Sequence, residues 1–285
     1  MHTRDIKKIA LLCNPLAGAG RAVGLTDQIA LALQKKKVDY QTFSNFWPST
    51  FETYTDIWII GGDGTLNYFI NHYPDTQLTL GIFGGGTGND FHWLLYGTKT
   101  FNDQIETMLH AEPRAIDVGI CNGAYFINEL GIGFEGAVAK ALTGKKKRPG
   151  KASFMLTVLK KIFRYQSKIY WVGTDTIHFA GKKLLVDISN GKRAGGGFHI
   201  APNAMADDGL LDIVTAEAMG PLKRLYYLPF IEKGKHMDLS CIMHFQASRL
   251  VIESEGIIEY HTDGEYHEAG KLEIGIKKAS FKIRY

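Results

Sequence analysis

The stretch Ile59-Ile60-Gly61-Gly62-Asp63-Gly64-Thr65-Leu66-Asn67, IIGGDGTLN, closes an apolar run with glycines set around one carboxylate. A buried strand that delivers Gly-Gly-Asp-Gly into a helix leaves backbone N–H groups bare, with no side chain to keep an anion away. Such a turn suits phosphate. Asp63 would repel phosphate directly, so its natural tasks are to hold magnesium through water or to orient donors. Read alone, the stretch is also an ordinary glycine-rich turn.

Two further loops narrow that reading. The segment NPLAGAGRA (14–22) follows the strand-like KIALLCNP, and GGGTGNDF (84–91) follows the strand-like LTLGIF. Three strands therefore end in glycine-rich loops, at the edge where open α/β sheets bind ligands. Between them VDYQTF reads as another strand, while Gly24 to Lys37, LNYFINHY and FNDQIETMLH read as helices. The alternation is a Rossmann-like βαβ pattern with a parallel sheet. It contains no G-x-x-x-x-G-K-[ST] loop and no protein-kinase catalytic loop. GAGRAVG is G-x-G-x-x-x-G, a loose match to the dinucleotide fingerprint that argues poorly for hydride transfer.

A chain of 285 residues exceeds what one hydrophobic core usually supports, which predicts two domains. Hydrophobic residues at 45% and charged residues at 22% fit a folded, soluble protein. After Pro113 the character changes: AIDVGI, Asn122-Gly123 and AYFINEL read as a hairpin, since Asn-Gly suits a type I′ turn. Strand-like TIHFAGKKLLVDISNG, GLLDIVTAEAM, SRLVIESEGIIEYHTDG and KLEIGIKKASFKIRY follow. The boundary falls near residue 117, giving an α/β domain over 1–117 and a β-rich domain over 118–285. Two helical insertions interrupt the second. The clearer, KASFMLTVLKKIFRYQ, carries Phe154, Val158 and Ile162 on one stripe and Met155, Leu159 and Phe163 beside it, which predicts core packing. A border to a lipid entrance is the rival reading.

No run of 18 or more apolar residues occurs, and the N-terminus is unlike a signal peptide, so a cytoplasmic location is expected. Cys13, Cys121 and Cys241 lie far apart with no paired spacing and read as small core residues. The net charge of +4 is modest, but Lys145, Lys146, Lys147 and Arg148 concentrate it. A solvated loop explains them, and so does an anionic bilayer surface. No nucleic-acid-binding motif is present.

The motifs GGDGTLN, GTGNDF, NPLAGAG, SNG…GGG…PNA…DDGLLD and TDGE, in this order, resemble the diacylglycerol kinase catalytic family across nearly the whole chain. The resemblance implies a two-domain NAD kinase/diacylglycerol kinase-like fold: an ATP-binding α/β domain, then a β-sandwich that takes the lipid, with a catalytic cleft between them. It is closest in kind to the soluble bacterial lipid kinases. ATP and magnesium are the implied cofactors, and the implied partner is a lipid at a membrane surface; a second copy of the chain is a further candidate. Two departures from the family pattern are Phe83-Gly84-Gly85-Gly86, where relatives often carry proline, and His92, where alanine is common.

Residue by residue, the resemblance assigns Gly61, Gly62, Asp63, Gly64, Thr65, Leu66, Asn67, Thr87, Gly88 and Asn89 to ATP, with Asp63 positioning nucleotide-bound magnesium. Asn14 would close over the phosphates, and Ser44 is the candidate hydroxyl at the end of the second strand. A structural magnesium would take the Asp208 side chain and the carbonyls of Met205 and Leu210, with Asp90 and Asp117 in the surrounding water network. Phosphoryl transfer to an alcohol needs a proton acceptor, and the resemblance gives that role to Glu265, supported by Asp263. From chemistry alone His261 and His267 are alternative bases, and Asp-Gly-Glu is equally a solvent-facing turn.

The expected reaction is ATP-dependent phosphorylation of a lipid hydroxyl, with diacylglycerol as the first candidate. Sphingoid bases, monoacylglycerol and polyprenols are alternatives within the class. NAD kinase and a non-catalytic lipid- or nucleotide-binding regulator are the alternatives outside it.

Overall fold

The computed structural model describes residues 7–143 and 151–285. The cluster Lys145 to Arg148 lies outside the described residues. Among those described, no helix is long and apolar enough to cross a membrane. The chain divides into two compact units, one formed by Met1–Ile116 with Ala279–Tyr285 and one by Asp117–Lys278.

In the first unit, β1 (Lys8–Cys13), β2 (Asp39–Phe43), β3 (Asp56–Gly61) and β4 (Thr79–Gly84) form a parallel sheet in the order β2-β1-β3-β4. Parallel strands covered on both faces read as unbroken apolar runs, and Ile9 to Leu12 and Ile57 to Ile60 are accordingly buried. The connections are α1 (Arg21–Lys35), α2 (Asp63–His72), α3 (Asp90–Tyr96) and α4 (Phe101–His110). Helix α4 starts where Thr100 accepts the Asp103 N–H.

The chain ends inside this unit, where a second domain running to residue 285 was expected. Lys282 and Ile283 pair in parallel with Thr79 and Leu80 of β4. The pairing is held by Arg284, which ion-pairs with buried Asp56 and donates to the Ala111 carbonyl at 2.8 Å.

The second unit is antiparallel. Its strands are β5 (Arg114–Cys121), β6 (Ala124–Phe126), β7 (Glu129–Gly133), β8 (Lys168–Gly173), β9 (His178–Ser189), β10 (Leu211–Glu217), β11 (Ile242–Ala247), β12 (Arg249–Thr262) and β13 (Glu265–Ile283). Strands β9 and β12 each split their pairing between β7 at one end and β8 at the other. The sheet thereby folds over a core that includes Val186, Ile188, Ile213, Ile252, Ile258 and Leu272. This is the predicted β-sandwich.

Its helices are α5 (Phe134–Leu142), α6 (Lys151–Arg164) and α7 (Pro221–Glu232). On α6, Val158 and Ile162 are buried with Phe154, Met155 and Leu159 against them, but Phe163 is 57% exposed. The second stripe drawn from the sequence is therefore only partly core.

Candidate active site

The glycine loops of the first unit meet backbone against backbone. The Gly85 N–H donates to the Gly61 carbonyl at 2.8 Å, and a Cβ on Gly86 would stand 2.4 Å from the Gly62 Cα. Gly18, at φ +58°, has equally little room, since a Cβ there would lie 2.2 Å from the Gly85 carbonyl oxygen. Three loops at the ends of β1, β3 and β4 are thus packed as closely as bare backbone permits. Gly86→Ala should push the loops apart, raising KM for ATP at least about tenfold, a loss of about 1.4 kcal/mol of binding; steady-state kinetics with varied ATP will check this.

Side chains lock the same loops. Asn14 donates from Nδ2 to Thr65 Oγ1 at 2.8 Å and accepts the Leu16 N–H at 3.0 Å. Asn89, at φ +55°, accepts the Gly86 N–H at 2.8 Å and donates to the carbonyls of Gly84 and Gly86. Asp63 stands in the first turn of α2 and accepts the Phe91 N–H at 3.1 Å, so one carboxylate joins the starts of α2 and α3. Buried Asp90 opens α3.

Of the nucleotide residues proposed from the sequence, Asn14, Gly61 to Asn67 and Thr87 to Asn89 lie together, with two differences in role. Leu66 is 2% exposed and packs in the core, leaving only its backbone for a ligand. Asn89 spends its amide on the loop. Ser44 is exposed after β2 and makes no hydrogen bond to these loops. Sequence reasoning passed over Arg21, whose guanidinium donates to the carbonyls of Gly18 and Gly86. Its signal was a lone cation following the glycines of AGAGR.

The acidic residues of the second unit form a connected system. Asp263 and Gly264 both have positive φ, at 49° and 88°, and join Thr262 of β12 to Glu265 of β13 as a two-residue hairpin of type I′ geometry. The Asp263 carboxylate accepts three backbone N–H groups, from Ile127 at 2.9 Å, Asn128 at 2.8 Å and Glu129 at 3.1 Å. Glu265 follows on the exposed side of the turn.

The same system reaches the DDG loop. Asp117 Oδ2 accepts the Gly209 N–H at 2.7 Å, and the Asp117 N–H donates to the Ala206 carbonyl. Asp117 belongs to this unit, although the sequence boundary set it at the end of the first domain. Asp208 accepts the Leu210 N–H at 3.0 Å, and Met205 is half exposed. Buried Asn190, from the SNG motif, donates to the carbonyls of Asp117 and Ile127 at 3.0 and 2.8 Å. It ties the DDG loop to the segment that grips Asp263.

His261 and His267 flank the hairpin. His261 is buried, its Nδ1 accepts the Gly264 N–H at 3.2 Å, and burial pulls its pKa down to about 4. It is therefore neutral with the proton on Nε2. His267 contacts Thr262 Oγ1 through Nε2 at 3.0 Å, and burial lowers its pKa too.

The sequence reading missed a buried carboxyl pair beside this turn. Glu135 Oε2 and His261 Nε2 both crowd Gly131, where a Cβ would lie 2.6 and 2.5 Å from them. Glu135 Oε2 and Asp187 Oδ2 are buried without a hydrogen-bond partner among the described residues. Burial raises both pKa values, and Asp187, which accepts from Ser189 Oγ, is pushed from 3.8 to about 7.

The folded protein therefore holds a proton on Asp187 that the unfolded chain has already released above pH 4, so this group makes stability fall as pH rises from about 4 through 7. Asp187→Asn removes that slope. Relative to the parent, the variant should gain at least about 1 kcal/mol between pH 5 and pH 8, read from urea unfolding at the two values.

Residues 8–121 match the diacylglycerol kinase catalytic domain, and residues 128–278 match the YegS C-terminal NAD kinase beta sandwich-like domain. The chain belongs to the diacylglycerol kinase and YegS-like lipid kinase family. It is a kinase that passes phosphate to a lipid hydroxyl, with ATP as the family's donor. A diacylglycerol kinase of Mycobacterium tuberculosis is 27% identical over 99% of this chain and 96% of its own length. The protein named "Probable lipid kinase YegS-like" of Shewanella frigidimarina is 30% identical over 76% and 72%. A diacylglycerol kinase crystal structure from Bacillus anthracis str. Sterne has the same fold, with a TM-score of 0.72 at 22% identity over 99% and 98% of the chains. A second crystal structure from that organism gives 0.80 at 23% identity.

Proposed function

We propose that this lipid kinase phosphorylates diacylglycerol to phosphatidic acid, using magnesium and working while peripherally attached to a membrane. The observation that carries the reading is the closure of three glycine loops onto one another beside Asp63, because bare N–H groups at helix starts are what a polyphosphate needs. In this reading Gly61 to Thr65 and Thr87 to Asn89 seat ATP, and Asn14 and Arg21 hold the loops that surround it. Asp63 would help hold the nucleotide's magnesium, whose charge would offset that of the phosphates. Glu265 takes the proton of the attacking hydroxyl, and Asp263 fixes the turn that presents it. Most of the rate gain then comes from alignment and charge stabilisation.

The DDG loop fits a second, structural magnesium. Its donors are all oxygen, namely the Asp208 carboxylate and the carbonyls of Met205 and Leu210, which with water is the set magnesium prefers. Asp208 Oδ2 lies 3.5 Å from the Gln246 amide, and no cluster of three His, Cys, Asp or Glu side chains offers a different metal set among the described residues. Such an ion would stiffen the loop that Asp117 already grips.

The acyl chains have a candidate place within the second unit. An apolar cavity of about 50 Å³ is lined by Phe134, Ile162, Leu185, Leu228 and Ile231, among others. Chains would enter by widening it. Support for diacylglycerol itself comes from the Mycobacterium tuberculosis relative, which is named for that substrate.

The test is purified protein with radiolabelled ATP and mixed micelles of diacylglycerol, a sphingoid base, a monoacylglycerol or a polyprenol, and NAD in a separate tube. Label should enter phosphatidic acid fastest. Faster labelling of another lipid overturns the acceptor, and NADP formation overturns the lipid reading.

A further inference from the structure

Helix α7 carries apolar side chains on two opposite faces. Its inner face, with Tyr227, Leu228 and Ile231, lines the apolar cavity. Arg224 fastens that face by donating to the carbonyls of Ile162 and Tyr165 at the end of α6. Its outer face carries Leu222, Leu225, Tyr226 and Pro229, spaced i, i+3, i+4 and i+7, which is one continuous stripe of a helix. That stripe faces solvent, with Leu222 78% and Tyr226 65% exposed. Helix α6, packed against α7, adds exposed Leu156 and Phe163. Single exposed apolar residues need no explanation, but a contiguous apolar stripe does.

Its surroundings select the partner. Lys160, Arg164 and Lys223 are exposed beside these residues, and none of them forms an ion pair among the described residues. Residues 152–164 of α6 contain no acid, and the acid of α7 is Glu232 at its end. An apolar stripe with a cation on its own helix and two more on the helix packed against it matches an anionic lipid surface, where the apolar groups enter the interface and the cations meet headgroups.

We propose that the outer stripe of α7, with Leu156 and Phe163 of α6, is the surface by which this protein docks on an anionic membrane. The placement rests on the lipid-kinase reading and adds to it, because the docked helix is the one whose other face lines the apolar cavity. A lipid leaving the bilayer would then meet the helix whose inner face lines that cavity.

The test is flotation with vesicles of phosphatidylcholine containing 30% phosphatidylglycerol, without ATP or diacylglycerol, so that docking is read apart from turnover. Leu222→Ser with Leu225→Ser and Tyr226→Ser should weaken binding at least tenfold. Lys160→Glu with Arg164→Glu and Lys223→Glu should abolish the dependence on the anionic lipid. Both sets change exposed side chains, so phosphorylation of a dispersed short-chain diacylglycerol should persist.

Tyr226→Trp supplies a second measurement in a folded protein: its emission should move to the blue on vesicles and be quenched by brominated lipid. Unchanged flotation of the triple serine variant, or a tryptophan that does not respond while the protein is bound, overturns the proposal. So does a variant that turns from dimer to monomer with vesicle binding intact, which would assign the stripe to a second copy of the chain. If no lipid is phosphorylated by any form, the kinase reading fails while the docking result stands on its own.

Discussion

Asp263→Ala should be the most destabilising single change at the β12–β13 hairpin, lowering stability by about 3 kcal/mol and the melting temperature by roughly 5–10 °C. The carboxylate accepts the N–H groups of Ile127, Asn128 and Glu129, and Asp263 is only 8% exposed. Truncation strands these buried donors, which cost about 1–3 kcal/mol for each group left unsatisfied. Alanine is also less at ease than aspartate at φ 49°.

Asparagine separates the two effects, because it tolerates the left-handed region yet keeps one acceptor oxygen where the carboxylate had two. Asp263→Asn should therefore fall between the parent and Asp263→Ala in a thermal melt. Should alanine melt with the parent, the carboxylate contributes nothing to the turn and its place in the machinery would have to be reconsidered.

Much of the first unit is legible because its strands are buried on both faces and end in glycine. Runs such as KIALLC and DIWIIG are short, apolar and bounded by turn residues, which marks them as strands of a covered sheet, and the glycines that follow mark where each chain turns toward the ligand edge. Helix α3 is not legible in the same way, since its seven residues, DFHWLLY, follow directly on a glycine loop and show less than two turns of periodicity. Helix α5 escapes for the opposite reason. Its residues Gly136 to Ala139 are buried, so no polar face marks it as a helix. The return of the last residues to the first unit is only half marked: the alternation of Leu272, Ile274 and Ile276 breaks at Lys277-Lys278 and resumes out of phase at Phe281 and Ile283, with Ala279 at φ 51°, but nothing in the new pattern says which sheet it joins.

The candidate site divides along similar lines. Residue types and order locate the loops, but they do not say whether a polar side chain serves a ligand or the loop itself. Asn89 stands in GTGND where nucleotide contact is a natural guess, yet its amide is committed to Gly84 and Gly86. The roles of Asn190 and Glu135 are not spelled out locally, because the partners of Asn190 lie at least 63 residues away and the carboxyl beside Glu135 is that of Asp187, on a distant strand. Such roles follow from tertiary approach, which one-dimensional spacing does not encode.

Glu265→Gln should reduce kcat by about 10²–10⁴-fold with diacylglycerol while leaving KM for ATP within a factor of two, because a general base acts in the transition state and not on the bound nucleotide. Glutamine preserves shape and hydrogen bonding but cannot accept the hydroxyl proton. The residue is exposed at the first position of β13, after a turn whose geometry is fixed by Asp263 and Gly264. The melting temperature should therefore stay within about 1 °C of the parent, in contrast to Asp263→Ala. That contrast distinguishes a chemical role from a structural one.

His261 does not offer a substitute. It is buried, its Nδ1 is engaged by Gly264, and its pKa of about 4 leaves it too weak a base to take a proton at neutral pH. Full activity in Glu265→Gln would remove the base from this hairpin. A loss of kcat accompanied by a large fall in melting temperature would instead make Glu265 part of the turn's framework.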